Sequence, residues 1–156
     1  MNNTILRLIY SALNVDESVM KKIFLLGKFE VKDETLHGYL QEVGDKDFRD
    51  CGYEALGSFL DGLIIYKRGE SRQKTSSDEV VSLTNNLILK KLRVAFELKD
   101  ADLYFIFESV GLKLNKSELS GLFRKENHKN FRKCSDELLL KFLEALVACE
   151  KNEENL

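Results

Sequence analysis

The chain repeats its own sequence at a constant offset, and this feature constrains the fold more than any single motif does. Residues 2–64 align without a gap on residues 85–147, an offset of 83 positions, and 18 of the 63 aligned pairs are identical. Identical pairs include Asn2/Asn85, Asn3/Asn86, Phe24/Phe107, Cys51/Cys134 and Phe59/Phe142. A gapless match of this length is typical of a tandem repeat, so we expect both halves to fold in the same way.

Apolar residues shared by the two copies lie three and four positions apart, which is the spacing of one face of an α-helix. This spacing occurs four times in each copy. The fourth stretch is the longest, and in the first copy it contains Leu56, Phe59, Leu60, Leu63 and Ile64. The chain has no proline, which would interrupt a helix. The pattern predicts an all-α fold of two tandem four-helix repeats with internal pseudo-symmetry, about eight helices in total.

Short polar residues before these stretches predict where the helices begin, because Asn and Asp side chains cap helix N-termini. The predicted caps are Asn2 and Asn3, with Asn85 and Asn86, for the first helix of each copy, and Asp16 and Asp100 for the second. Asn115, with Glu118 three residues later, predicts a capping box at the third helix of the second copy.

Gly38 and Gly121 occupy matched positions inside the predicted third helices, where glycine costs about 0.5–1 kcal/mol relative to alanine. A glycine present in both copies despite this cost indicates a close approach between helices. A backbone opening for a ligand is the less favoured role, because glycines within helices are more often packing positions.

The composition along the chain predicts four segments. Residues 1–68 form the first helical repeat and residues 83–148 the second. The segment 69–82 is rich in Ser, Lys, Arg and Gln, which is typical of a mobile polar linker. Residues 149–156 form an acidic tail that we expect to fray.

The cysteines and the hydropathy indicate a cytoplasmic protein. Cys51, Cys134 and Cys149 are odd in number and far apart, so they predict reduced thiols rather than a disulfide framework. The opening Met-Asn-Asn-Thr lacks the cationic start of a secretory signal. No apolar run approaches the roughly 20 residues of a membrane helix, and we expect no membrane partner.

Residues suited to catalysis or metal binding are sparse. His37 and His128 lie at non-equivalent positions of the two copies, away from clustered ligands, and no phosphate-binding loop or nucleophile elbow occurs. Cys51 and Cys134 are matched before the fourth helix, either as a redox pair or, as we favour, as small buried residues. We therefore expect a protein without catalytic residues, metal or cofactor.

The two copies differ in charge at one matched segment. Residues 124–133 carry a net charge of +4, whereas their counterparts 41–50 carry −2, with histidine counted as neutral. The candidate contact residues are Arg124, Lys125, His128, Lys129, Arg132 and Lys133, and the cations Lys67, Arg68, Arg72, Lys74, Lys90, Lys91 and Arg93 would extend the surface. Phe131 lies within the segment, and cations beside an aromatic ring suit phosphate contact with base stacking.

The charged segment can also have one of two simpler roles. In the first, Phe131 and its counterpart Phe48 are core anchors and the charges are a solvated face. In the second, the basic segment of one copy meets the acidic segment of the other, within a chain or across a dimer. The sequence pattern leaves both roles open.

The chain also resembles a known family. The segments LTNNLILKKLR (residues 83–93), GLIIYKRG (62–69) and LSGLFRK (119–125), followed by His128, Asn130, Arg132 and Cys134, are similar to the YehS-like proteins, a family of unknown function. Phe131 and Ser135 stand where the family pattern has tyrosine and glycine. The resemblance implies a bacterial, cytoplasmic, helical protein with two repeats, and it implies no activity.

These observations favour a non-enzymatic binding or adaptor module. The first hypothesis is contact with a protein partner, or self-association, through apolar surface at Ile65 and Tyr66, with the oppositely charged segments setting orientation. The alternative is DNA or RNA binding by the basic segment together with the second and third helices of each copy, a loose helix-turn-helix arrangement. Its connections are longer than the usual turn of about 3–4 residues.

Overall fold

Each half of the duplicated sequence folds into four helices. The computed structural model describes residues 1–69 and 82–154, and within these ranges it contains eight α-helices and no strand. The chain divides into two units, Met1–Leu83 and Thr84–Leu156. The first contains α1 (Asn2–Leu13), α2 (Glu17–Leu26), α3 (Asp33–Tyr39) and α4 (Tyr53–Arg68). The second contains α5 (Asn85–Ala95), α6 (Asp100–Ser109), α7 (Lys116–Leu122) and α8 (Asp136–Glu154). The all-α prediction is confirmed.

The last helix of each unit is the centre of its core. In the first unit α4 packs mainly on α2 and also touches α1, and the rings of Phe24 and Phe59 lie 4.9 Å apart. In the second unit α8 packs on α6 and α5, and the matched rings of Phe107 and Phe142 lie 5.3 Å apart. All four rings are fully buried, so the apolar positions predicted from the repeat form the two interiors.

Helices α2 and α4 approach more closely than side chains would permit. A Cβ atom at Gly62 would lie 1.9 Å from the carbonyl O of Ile23, and one at Gly27 would lie 1.8 Å from that of Ser58. The second unit carries Val110 and Ala145 at these positions, counted by the repeat offset. Since two Cβ atoms then occupy this space, α6 and α8 cannot approach as closely.

Two of the predicted helix starts are confirmed. The Oδ1 of Asp16 accepts a hydrogen bond from the backbone N of Val19 at 3.0 Å. The Oδ1 of Asn115 accepts from the N of Glu118 at 2.8 Å, and the Oε1 of Glu118 accepts from the N of Asn115 at 3.0 Å. These contacts satisfy backbone donors that a helix start leaves unpaired.

The other predicted caps are wrong. Helix α6 has Lys99 as its N-cap residue, so Asp100 lies inside the first turn. Helices α1 and α5 begin after Met1 and Thr84, and the Oγ1 of Thr84 accepts from the N of Leu87 at 3.2 Å. The paired asparagines therefore lie inside these two helices, where their amides can reach other parts of the unit.

The segment boundaries differ from the sequence pattern at the end of the chain. Helix α8 continues to Glu154, so residues 149–154 are helical instead of fraying from 149. They contain no glycine or proline that would end the helix.

The predicted linker begins where α4 ends. Gly69 follows α4 as its C-cap, with φ of 88°. Most of the linker, with Arg72 and Lys74, lies outside the described residues. None of the helices in the described ranges combines the length and apolar character needed to cross a membrane.

Candidate anion-binding surface

An asparagine in the first turn of the first helix fixes the loop before the last helix of each unit; Asn3 is buried and Asn86 is half-buried. In the first unit Nδ2 of Asn3 donates to the carbonyl O of Tyr39 at 3.0 Å and of Arg49 at 2.7 Å, and its Oδ1 accepts from the N of Cys51 at 3.0 Å. The second unit repeats these bonds with Asn86, whose partners are Leu122 (3.0 Å), Arg132 (2.8 Å) and Cys134 (2.9 Å). We call residues 40–52 the acidic loop and residues 123–135 the basic loop. Both loops are held at each end by one side chain.

The matched glycines let these loops lie against the third helices. A Cβ atom at Gly121 would lie 2.8 Å from the carbonyl O of Asn130, and the N of Arg132 donates to the O of Gly121 at 2.9 Å. Gly38 has the same relation to the acidic loop, accepting from the N of Arg49 at 3.0 Å. The expected helix-helix contact is therefore wrong, because loop backbone is what approaches these glycines.

The exposed cations of the basic loop are Arg124, Lys125, Lys129 and Lys133. His128 is half-buried and orders the loop: its Nδ1 accepts from the N of Asn130 at 2.9 Å, and its Nε2 lies 3.3 Å from Nη1 of Arg124. An imidazole whose Nδ1 accepts a hydrogen bond carries its proton on Nε2, so Nε2 adjoins Arg124 without accepting from it. His128 therefore acts as a support for the loop backbone.

Arg132 is engaged inside its own unit. Its Nη1 lies 2.7 Å from Oε2 of Glu118, which ties the basic loop to α7. The backbone N–H of Asn115 and the Arg132 guanidinium lower the pKa of Glu118, so the carboxylate stays charged for this ion pair. The charge of Arg132 is thus already matched within its own unit.

A third arginine joins the surface from α5. The guanidinium of Arg93 lies 4.7 Å from the ring centroid of Phe123, and its Nη2 lies 2.9 Å from Oδ1 of Asp100. These two contacts fix its plane against the loop. The charge pattern had named Arg93 only as an extension of the surface, and it missed Phe123, the C-cap residue of α7.

Two adjoining depressions lie around Phe123 and Arg124. The smaller, of about 280 Å³, is lined by Arg93, Asp100, Leu119, Ser120, Phe123 and Arg124. The larger and more open one, of about 640 Å³, is lined by Phe123, Arg124, Lys125, Asn127, His128 and Lys129. Three of the predicted cations, Arg124, Lys125 and Lys129, therefore line a shaped surface whose two depressions share the Phe123 ring.

The same place in the first unit is acidic. His37 stands at the position of Ser120, with its Nδ1 3.4 Å from Oε1 of Glu17 and its Nε2 3.9 Å from Oδ2 of Asp47. Throughout the described ranges, no group of three or more His, Cys, Asp or Glu side chains is arranged to hold a metal ion. The acidic loop thus offers carboxylates where the basic loop offers cations.

The remaining predicted contact residues lie near the end of α4. Ile65 and Arg68 are half-buried, Lys67 is exposed, and Tyr66 keeps 45% of its surface exposed. Their neighbour Ile64 is buried in the first core, which leaves Tyr66 as the main apolar side chain at this end of the helix. In the two loops, Phe48 and Phe131 are both half-buried and so are neither enclosed core anchors nor fully open rings.

The repeat that carries both loops also identifies the family. The family model described as protein of unknown function (DUF1456) matches residues 2–69 and 85–151, which are the two repeats. The chain belongs to this family. It is 34% identical over 148 residues to the uncharacterized protein YehS of Escherichia coli strain K12, which covers 95% of each chain. No solved structure matches it. The resemblance seen in the sequence is confirmed.

The DUF1456 family is described only as of unknown function, so the chemistry follows from the surface. The matched segments contain both the acidic and the basic loop, together with the asparagines that fix them. The basic loop and its two depressions are therefore a feature of the second repeat, built on anchors that both repeats share.

The paired cysteines are buried thiols. Cys51 and Cys134 are 2% and 0% exposed, and each Sγ lies 3.6 Å from the carbonyl O of the residue that follows it. Burial raises the pKa of Cys51 to about 12 and that of Cys134 to about 11, because the thiolate loses its hydration. The prediction of small buried residues is confirmed.

We expect the native chain to expose at most one reactive thiol, that of the half-buried Cys149. At about pH 8, a disulfide reagent should modify Cys51 and Cys134 only after unfolding, since so little of either thiol is ionised. The measurement is the absorbance of released reagent with and without denaturant, with Cys149→Ala as the variant that removes the fast phase. Rapid modification of native Cys149→Ala protein would contradict the burial.

Proposed function

We propose that this protein is a non-enzymatic binding module that contacts the phosphates of single-stranded nucleic acid through the basic loop. The observation that carries the proposal is the set of exposed cations, Arg124, Lys125 and Lys129, around two adjoining depressions that share the Phe123 ring. Cations that follow a phosphate backbone beside an aromatic platform are the general means of binding single strands.

The fixed loop geometry favours binding over a merely solvated face. Asn86 and Gly121 hold the loop backbone, and Arg93 is held by Phe123 and Asp100, so the loop path and one guanidinium are in place before a ligand arrives. Preorganised cations lose less conformational entropy on binding. In this proposal the loop meets the phosphates instead of α7 entering a groove, because the connection 110–115 exceeds the usual turn of about 3–4 residues.

Reversing two charges of the basic loop should weaken binding strongly. We expect Lys125→Glu combined with Lys129→Glu to lower the affinity for single-stranded RNA roughly 10- to 100-fold, since two phosphate contacts are replaced by repulsion. The slope of log affinity against log salt should become shallower by about 1.4, or about 0.7 for each lost contact. Fluorescence anisotropy over a salt series measures both quantities.

A matched control exists in the first unit. Lys32→Glu combined with Lys46→Glu changes the net charge by the same amount on exposed positions, and we expect it to keep most of the affinity. Wild-type protein that fails to bind single-stranded RNA or DNA at low ionic strength would end the proposal. Equal losses in both double variants would reduce it to an effect of net charge.

We propose protein contact or self-association as the second candidate. It is supported by Tyr66, 45% exposed at the end of α4, and by Val43, which is 85% exposed in the acidic loop. In this arrangement the half-buried Ile65 borders the contact, and the acidic loop of one molecule faces the basic loop of another. The candidate partner is then a second copy or another protein with a basic surface.

Self-association predicts a concentration-dependent mass. We expect Tyr66→Ser combined with Val43→Ser to shift the monomer-dimer equilibrium toward monomer by about tenfold, because apolar area no longer leaves water. Sedimentation equilibrium measures this shift, with Tyr53→Ser, also at an exposed aromatic residue, as the control. A wild-type chain that stays monomeric at high concentration would exclude the self-association.

We place the protein in the bacterial cytoplasm. The support is the pair of buried thiols at Cys51 and Cys134, which fits a reducing compartment. The proposal is tested by fractionation of cells that express the chain.

A further inference from the structure

The smaller depression has the attributes of a site for a single anionic group. Arg93 is oriented there by the Phe123 ring at 4.7 Å and by Asp100 at 2.9 Å. The Asp100 contact engages Nη2, and a guanidinium carries five N–H donors in a planar fork. Donors on a fixed plane suit the oxygens of a phosphate or carboxylate.

Two further polar groups line the same depression. Arg124 brings a second guanidinium, whose Nη1 lies 3.3 Å from Nε2 of His128, and Ser120 brings a half-buried hydroxyl from α7. Two arginines thus stand against one carboxylate, and the lining keeps a net positive charge. A volume of about 280 Å³ is at the lower end of small-molecule sites, which run from roughly 300 to 1,000 Å³.

We propose that this depression is a subsite for a phosphate monoester, held between Arg93 and Arg124 with the Ser120 hydroxyl donating to it. The inference rests on the proposed function and specifies which phosphate the second unit prefers. A monoester carries close to two negative charges at neutral pH and three terminal oxygens, enough for both arginines and the serine. A phosphodiester carries one negative charge, and the nucleotides on both of its sides would have to extend out of the depression.

The remaining carboxylate specifies the group next to the phosphate. Asp100 lines the depression as an acceptor whose charge is matched by Arg93. A hydroxyl donates to such a carboxylate, and ribose supplies one beside a terminal phosphate. The ligand class is therefore a ribonucleoside phosphate, either as the phosphorylated end of an RNA strand or as a free nucleotide.

The first unit supplies the variant that tests the subsite. It carries Tyr10 and Gln41 at the positions of Arg93 and Arg124, so the repeat itself shows that these residues fit the fold. The test variant is Arg93→Tyr combined with Arg124→Gln. Its matched control is Lys113→Glu, an exposed position of the same unit that changes the net charge equally and has Glu30 as its counterpart.

The experiment compares one short single-stranded RNA with phosphates at its ends and the same strand with hydroxyls there. We expect wild-type protein to bind the phosphorylated strand about tenfold more tightly, since charge-assisted hydrogen bonds form with the monoester alone. In Arg93→Tyr with Arg124→Gln the ratio should fall to about one, and in Lys113→Glu it should persist. A third arm titrates adenosine monophosphate and inorganic phosphate against the amide signals of Ser120 and Phe123.

Each outcome decides between the two proposals. Equal binding of both strands by wild-type protein overturns the subsite and leaves the proposed nucleic-acid contact standing. Binding of adenosine monophosphate without binding of either strand supports the subsite, identifies a free nucleotide as its source, and overturns the nucleic-acid contact. Absence of both overturns both, and loss of the preference in Lys113→Glu overturns the assignment to Arg93 and Arg124.

Discussion

Gly62→Ala is expected to lower the free energy of unfolding by about 3 kcal/mol, the upper part of the range for overpacked cores. The added Cβ would lie 1.9 Å from the carbonyl O of Ile23 and 2.8 Å from the N of Gly27. Both are backbone atoms, so relief requires α2 and α4 to separate instead of a side chain turning aside. The buried Phe24–Phe59 ring pair would then lose contact as well.

The matched control for this prediction lies on the same helix. At Gly57 the nearest heavy atom to an added Cβ is 3.9 Å away, so Gly57→Ala should stabilise the helix by about 0.5–1 kcal/mol. Denaturant unfolding followed by helical circular dichroism measures both variants. If the two variants unfold at the same midpoint, the close approach of α2 and α4 is wrong. Alanine itself is not the obstacle, since Ala145 occupies the equivalent place in the second unit.

Asn3→Ala is expected to cost about 3 kcal/mol, because it removes three hydrogen bonds at a residue only 5% exposed. The carbonyl oxygens of Tyr39 and Arg49 and the N–H of Cys51 would lose their partner together. Asn3→Asp keeps an acceptor for Cys51 but offers no donors to the two carbonyls, so it should be destabilising as well.

The neighbouring asparagine provides the comparison. Asn2 makes one bond of this kind, from its Nδ2 to the carbonyl O of Cys51 at 3.1 Å, so Asn2→Ala should cost about 1 kcal/mol. Denaturant titration of the three variants measures the differences. Equal costs for Asn2→Ala and Asn3→Ala would show that the acidic loop does not depend on the buried amide. The same substitution at Asn86 should loosen the basic loop and weaken phosphate binding.

The interior of each unit was predictable because its signal repeats along the chain. Ile23, Phe59 and their counterparts Ile106 and Phe142 recur at helical spacing in both copies, and all four are buried. An apolar stripe is buried when its helix has one apolar face toward the core and one polar face toward solvent. The spacing of apolar residues along one helix is therefore enough to predict that these residues are buried.

The asparagines show where local reasoning stops. A cap and a buried loop anchor look alike in sequence, because both are an Asn at the start of an apolar stretch. What distinguishes them for Asn3 is a set of partners 36 to 48 residues further along the chain. Gly38 and Gly121 were misassigned for the same reason, since the loops that press on them lie beyond the helix.

The candidate site was predictable in its charge and not in its shape. The basic segment follows directly from composition, but Arg132 is matched by Glu118, 14 residues earlier, and no sequence pattern marks that pair. Arg93 lies on α5 and Phe123 directly after α7, and their stacking arises only when the unit is folded. Charge is a property of single residues, whereas a depression is a property of the packing.

The amide anchors of the two loops have a consequence for how the halves of a duplicated gene diverge. Asn3 and Asn86 hold backbone atoms, and Gly38 and Gly121 accept backbone N–H groups, so neither anchor depends on which side chains the loop displays. Mutations can then invert the surface charge of one repeat while the backbone of its loop keeps the same path. One ancestral module can thus have acquired two electrostatic characters without losing foldability along the way.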